Sequence, residues 1–222
     1  MRIALIHALA HSVAPINEAM ARSWPGAVRM NLLDDSLSAD LARTAAAGGV
    51  GLDAAMHQRF EDLAAYAERT GAQGILFTCS AFGPCIEAVA ARRPHMPVYK
   101  PNEAMVADAA ATGARVGLIA SFAPTLDSMP PEFPASVDLR TAMAEGAMAA
   151  LDRGDTATHD AAVLDAALAL LAQGCGAIAL AQFSMARAAP LLRERLPAAV
   201  PVLTTPGSAV AALQRRLGVA AH

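Results

Sequence analysis

The stretch Arg115-Val116-Gly117-Leu118-Ile119-Ala120-Ser121 repeats the pattern of Arg2-Ile3-Ala4-Leu5-Ile6-His7-Ala8, and the segments after each copy run in the same order. Each copy is a short apolar run of the kind that forms a buried parallel strand. Gly176-Ala177-Ile178-Ala179-Leu180-Ala181 then matches Gly74-Ile75-Leu76-Phe77-Thr78, and Pro197 to Leu203 matches Pro94 to Lys100. Pro206-Gly207-Ser208 opens a final helix as Pro101-Asn102-Glu103 opens its counterpart. The offset is near 113 residues at the first strand and near 103 later. Strands alternating with helical patterns imply parallel, doubly wound sheets. The expected fold is therefore α/β, with two pseudo-symmetric doubly wound lobes, each built on a four-stranded parallel sheet. Residues 1–101 plus 206–222 would form lobe one and residues 102–205 lobe two. The ends of the two third strands would meet in a cleft, placing Cys79 opposite Gln182, with Thr78, Ser80, Phe183 and Ser184 alongside.

Within the first half, the pattern predicts strands at Arg2 to His7, Ala27 to Leu32, Gly74 to Thr78 and Pro97 to Lys100. Helices are expected up to about Trp24, from Leu37 to the Gly48-Gly49 break, from Leu52 to Arg69 with Gly71 as cap, and from Cys85 to Arg93. In the second half a strand is expected near Ser136 to Leu139, with helices at about Met143 to Arg153 and Thr158 to Leu171.

Composition limits the partners. Hydrophobic residues make up 55% of the 222, and mean hydropathy is +0.37. The excess is largely alanine, and no apolar run reaches the ~18 residues of a membrane span. The chain opens directly as a strand with no leader pattern, which reads as cytoplasmic. A net charge of -3 with 4% aromatics offers no basic stripe for nucleic acid. Three cysteines without an export signal argue against a disulfide framework, and with Cys79 and Cys85 six apart no structural metal is expected. Gly48-Gly49-Val50-Gly51 comes after a helix, so it is no dinucleotide fingerprint, and neither a Walker-type loop nor a G-x-S-x-G elbow is present. The residues call for no cofactor and no metal; the ten methionines read as core.

The chemistry concentrates in residues 74–85, GILFTCSAFGPC. Cys79 stands at the carboxyl end of the strand, and Gly83-Pro84 opens a helical pattern with proline well placed at its first turn. A thiol there faces helix N-terminal amides, where anions bind in open α/β sheets, and the same partial charge favours thiolate. Cys79 is the catalytic candidate; the plainer alternative is a packed structural cysteine. Cys85 and Cys175 read as core. Thr78, Ser80 and Ser184 either contact a substrate carboxylate or cap the next helices. His7 ends the first strand at the same edge with His11 close behind, and either assists Cys79 near neutral pH or is a hydrogen-bonded loop histidine. Asp34-Asp35-Ser36 either touches substrate or caps a helix. His57, His95, His159 and His222 read as surface.

A pair of α/β lobes with a strand-end cysteine resembles the aspartate/glutamate/hydantoin racemase superfamily, which also includes maleate isomerase and arylmalonate decarboxylase. The resemblance rests on the opening strand, on Thr78-Cys79-Ser80, on Ala120-Ser121-Phe122-Ala123-Pro124-Thr125 and on Leu180-Ala181-Gln182-Phe183-Ser184. It implies cofactor-independent proton transfer at an acidic carbon, with Ser121 and Thr125 in a carboxylate-binding loop and a homodimer as the assembly. The family's usual chemistry uses one cysteine per lobe. Cys79 matches the first; the second falls at Gln182, whose amide exchanges hydrogen bonds but no proton at neutral pH and, as a second active-site residue, would orient a carboxylate or amide of the substrate. Cys175 lies at the wrong end of its strand to substitute. The expectation is thus a racemase or isomerase acting with a single thiol on a small carboxylate, amino acid or hydantoin-like substrate. A decarboxylase of the same superfamily and a catalytically silent small-ligand binder are the alternatives.

Overall fold

The computed structural model describes residues 1–219, so His222 and the last residues assigned to lobe one lie outside the described residues. The chain divides into two compact units, one of Met1–Pro101 with the chain from Ala209 onward, the other of Asn102–Ser208.

The first unit runs β1 (Arg2–His7), α1 (Val13–Ser23), β2 (Val28–Leu33), α2 (Ser36–Ala46), α3 (Ala54–Arg69), β3 (Gly74–Phe77), α4 (Gly83–Arg92) and β4 (Val98–Tyr99). Its sheet is parallel in the order β2-β1-β3-β4. Ile3, Leu5, Ile75 and Leu76 are fully buried, as apolar runs covered on both faces require. Phe60 of α3 stacks on Phe77 at 5.3 Å between centroids and lies 4.9 Å from Phe82, which ties α3 to the end of β3. Asp53 caps α3 by accepting the Met56 amide at 2.8 Å.

The second unit holds α5 (Glu103–Ala111), β5 (Val116–Ala120), α6 (Ala123–Ser128), β6 (Leu139–Met143), α7 (Ala147–Asp152), α8 (Thr156–Ala172), β7 (Ala177–Leu180), α9 (Ala189–Arg195) and β8 (Val202–Thr204). The last helix, α10 (Thr205–Arg216), begins here and passes into the first unit, where Gln214 donates to the Ser23 carbonyl. Sheet order is β6-β5-β7-β8, again parallel. Alternation sorts its side chains onto two faces. Ile119, Ile178 and Leu180 pack with Val163, Ala167 and Leu170 of α8, whereas Val116, Leu118 and Ala179 pack with Met105 and Ala109 of α5. A sheet covered on both faces is the doubly wound arrangement the repeat implies.

Three expectations need correction. The strand expected near Ser136 to Leu139 is Leu139–Met143, and the helix expected from Met143 begins at Ala147. This edge strand is half exposed and carries no apolar run, so its place comes from pairing with β5 (Val116 against Leu139), not from its own pattern. Gly146, at φ 72°, holds the left-handed turn that delays the helix. The segment Pro197 to Leu203, matched to Pro94 to Lys100, carries its strand at the far end, Val202–Thr204, after residues 197–200 close a turn (Val200 amide to Pro197 carbonyl, 2.9 Å). His159 is buried, not at the surface. It shares the core face of α8 with Val163, Ala166 and Leu170, at the spacing of helix turns.

Candidate active site

The third strand of each lobe ends the same way. The Thr78 N–H donates to the Ile6 carbonyl at 3.0 Å, and the Ala181 N–H donates to the Ile119 carbonyl at 2.9 Å. Next come Cys79 (φ -123°, ψ 120°) and Gln182 (φ -121°, ψ 147°), both extended, and each leads into a 3-10 turn. The turns are Ser80–Phe82 and Phe183–Ala188. Cys79 and Gln182 therefore hold equivalent positions at the carboxyl ends of equivalent strands, where open α/β sheets bind ligands.

Around Cys79 a 3-10 turn, and not the first α-helical turn, meets the sulfur, because α4 starts only at Gly83. The Ala81 N–H and the Ser38 hydroxyl, the latter from α2, donate to Sγ. The side chain keeps a partly exposed face, but it also packs in an apolar crevice beside Ile6, Ala8, Leu37, Phe60 and Phe77. Burial pushes the Cys79 thiol up to about 11; the two hydrogen bonds oppose that rise without cancelling it. The expected thiolate is thus replaced by a thiol at neutral pH, because desolvation outweighs the amide and hydroxyl donors. Ser38 escaped notice in the sequence. The only local signal was its place just past Asp34-Asp35-Ser36 at the same strand end.

Behind Thr78 a polar network runs from the buried His7 and Ser12 out to Asn17 and the exposed Asn31. His7 Nδ1 is 2.8 Å from Thr78 Oγ1, and His7 Nε2 is 3.0 Å from Asn31 Oδ1. Asn17 Nδ2 donates to the Val13 carbonyl at 2.8 Å and to Asn31 Oδ1 at 2.7 Å. A carbonyl only accepts, so the Asn17 atom is its nitrogen and the Asn31 atom is its oxygen; His7 Nε2 must then carry the proton. Nδ1 accepts from the Thr78 hydroxyl, and Ser12 Oγ sits 2.9 Å from that same hydroxyl while donating to the Leu9 carbonyl at 2.7 Å. Burial lowers the His7 pKa, only partly offset by the Asn31 bond, and keeps the ring neutral. With both nitrogens engaged and no exposed surface, His7 supports Thr78 instead of meeting solvent. His11, in the 3-10 turn Ala10–Ser12, is partly exposed.

In the second lobe, Ser121 comes directly after β5 and donates twice to Gln182 Oε1, from its backbone N–H at 2.6 Å and its hydroxyl at 3.1 Å. Ser121 and Gln182 each keep 8% exposure. Thr125, Phe183 and Ser184 are buried, as are Thr78 and Ser80 in the first lobe, and the Ser184 hydroxyl has no hydrogen-bond partner among the described residues. Asp34 is committed to structure: Arg59 lies 2.7 Å away and the Ser36 hydroxyl donates at 2.6 Å. Burial alone would raise its pKa, but these partners hold the carboxyl below its usual range. Asp35, the residue before α2, makes no capping bond with its side chain. Cys85 and Cys175 are buried. Among the described residues no three His, Cys, Asp or Glu side chains cluster as a metal ion would need, and no helix is long and apolar enough to cross a membrane.

Two repeated, parallel α/β lobes with a thiol at one third-strand end define a protein of the racemase fold. The family model for Asp/Glu/hydantoin racemases matches residues 10–213, and the chain belongs to that family. Glutamate racemase RacE1 from Bacillus anthracis is similar at TM-score 0.73 and 12% identity, covering 98% of this chain and 82% of that one. Allantoin racemase from Klebsiella pneumoniae is similar at TM-score 0.69 and 18% identity, covering 100% and 90%. A glycine-to-cysteine mutant of arylmalonate decarboxylase in a sulfate-associated form is similar at TM-score 0.63 and 20% identity, covering 100% and 96%. No curated protein sequence matches the chain.

Proposed function

We propose that this chain is a cofactor-independent enzyme of the isomerase type that moves a proton at the acidic carbon of a small carboxylate, amino acid or hydantoin, with Cys79 as its one acid/base group. The observation carrying this reading is the equivalence of two strand ends of which one bears a thiol and the other an amide. Racemisation by two thiols needs an acid on each face of the carbon; Gln182 supplies none. Proton transfer is then one-sided, and hydrogen-bond donors aimed at the developing enolate oxygen carry the stabilisation.

The raised thiol pKa favours a second reading within the family, decarboxylation. A thiol that rests protonated is poised as an acid. Loss of CO₂ from a malonate-type substrate leaves an electron pair on carbon, Cys79 S–H donates its proton there, and the thiolate recovers a proton from water. Proton NMR in D₂O tests both readings, with aspartate, glutamate, substituted hydantoins, maleate and arylmalonates as the panel. Deuterium uptake without inversion, cis–trans isomerisation of maleate, or loss of CO₂, that vanishes in Cys79→Ala is the expected result. Full racemisation would require a second acid and overturn the single-thiol reading. Turnover unchanged in Cys79→Ala would remove Cys79 from the chemistry, and silence across the panel would favour a ligand-binding protein.

A further inference from the structure

One oxygen at the carboxyl end of β7 carries two hydrogen bonds, both from Ser121: its backbone N–H reaches Gln182 Oε1 at 2.6 Å and its hydroxyl at 3.1 Å. A backbone N–H can only donate, so the amide atom meeting it is the carbonyl oxygen and not the nitrogen. The orientation of this amide is set by its partner. With both lone pairs of Oε1 engaged, the free end of the side chain is the NH₂ group, which has two donors and no acceptor. Nε2 makes no hydrogen bond among the described residues, and the residue retains 8% exposure.

We infer that Gln182 is a substrate-reading residue that takes a hydrogen-bond acceptor, a carboxylate or carbonyl oxygen, and that Ser121 is the positioning residue that fixes this polarity. The inference rests on the proposed reading of the chain as acting on small carboxylates or hydantoins, and it narrows the substrate class. A substrate ammonium at this point would meet the NH₂ group donor to donor, leaving both sides unpaired. A malonate-type dianion or a hydantoin presents oxygen here. A substrate whose ammonium must take this place is excluded.

Titration of [¹⁵N]glutamine-labelled protein reads this directly. The chain has five glutamines, Gln58, Gln73, Gln173, Gln182 and Gln214, and Gln182→Met assigns the Gln182 NH₂ pair by its disappearance. Methylmalonate and alanine are the probes, since they differ by a carboxylate in place of an ammonium on the same carbon. Methylmalonate should shift the Gln182 pair, and alanine should bind about tenfold more weakly or not at all. Gln182→Met should weaken methylmalonate about tenfold. Gln182→Glu can keep both Ser121 bonds on one oxygen and turn the other, anionic, to the substrate. It should therefore reverse the preference towards alanine. Ser121→Ala, which keeps its N–H, should weaken methylmalonate by a smaller factor and broaden the Gln182 pair as the amide gains a second orientation. Methylmalonate bound equally by wild type and Gln182→Met would overturn the inference, as would a Gln182 pair that alanine moves as readily, or that neither probe moves. Because the titration reads binding and not turnover, its outcome is separate from whether Cys79 transfers a proton.

Discussion

Cys79 and Gln182 occupy one and the same position of the repeated lobe. Each stands two residues past its third strand, in extended conformation, after a residue whose N–H bonds the first strand at the equivalent isoleucine. The scaffold treats them alike, so the difference between thiol and amide is a difference of chemistry alone. The thiol keeps a proton to give, and the amide has its oxygen tied down and only donors left to offer.

The resting thiol should be slow towards reagents. With a pKa near 11, the thiolate fraction at pH 7 is about two orders of magnitude below that of free cysteine. Alkylation of Cys79 by iodoacetamide, with peptide mass spectrometry as the readout, should rise about tenfold per pH unit between pH 7 and 10. Ser38→Ala removes a donor to the sulfur and should slow it further. Rapid alkylation at pH 7 with a plateau would contradict the buried-thiol reading.

Cys79 also links stability to alkaline pH. The folded chain holds this proton more tightly than the unfolded one, so the contribution is intact below about pH 8.5 and is lost as pH rises towards 11. Cys85, raised to about 11 by burial and secondarily by the nearby Asp53 charge, adds to the same limb. Melting temperatures of wild type and Cys79→Ser between pH 8 and 11 should diverge, with the serine variant losing less.

His7 contributes to the acid limb. Its pKa is lowered in the fold, so its contribution is present above about pH 6.5 and lost as pH falls and the ring must take a proton. That proton belongs on Nδ1, which the Thr78 hydroxyl now occupies. His7→Gln should flatten the fall in melting temperature between pH 7 and 4. At pH 7 it should cost about 1–3 kcal/mol by denaturant titration, since Thr78 and Asn31 lose a buried partner.

Gly117 tests packing away from the site. A Cβ there would come within 2.9 Å of Leu170 Cδ1 and 3.1 Å of both Ile178 Cδ1 and Leu170 Cβ. Gly117→Ala should destabilise by about 1–3 kcal/mol through overpacking against α8, while methylmalonate binding stays as in wild type. The first lobe has Ala4 at the matching position of β1, so the intolerance belongs to the α8 packing and not to the strand.

Much of the fold was legible because burial leaves a period in the sequence. The six-residue run Arg2–His7 and the short runs ending at Phe77, Ala120 and Leu180 announce interior strands, and the repeat pairs them across the chain. The edge strand Leu139–Met143 escaped that logic because half-exposed residues leave no such period. His159 escaped it because one imidazole among core positions of α8 reads as polar until its face is known.

The sequence by itself determined the repeated α/β lobes, the strand-end positions of Cys79 and Gln182, and the absence of a second thiol at the repeated site. Those depend on residue type and spacing, which are local. Only the tertiary structure decided that the thiol rests protonated, that His7 turns inward to hold Thr78, and that Gln182 presents donors alone. Each of these depends on partners distant in the chain: Ser38 and the apolar crevice for Cys79, Asn31 for His7, and Ser121, 61 residues away, for Gln182. Protonation and hydrogen-bond polarity are set by the dielectric and the donors that folding brings together, and no periodicity records them.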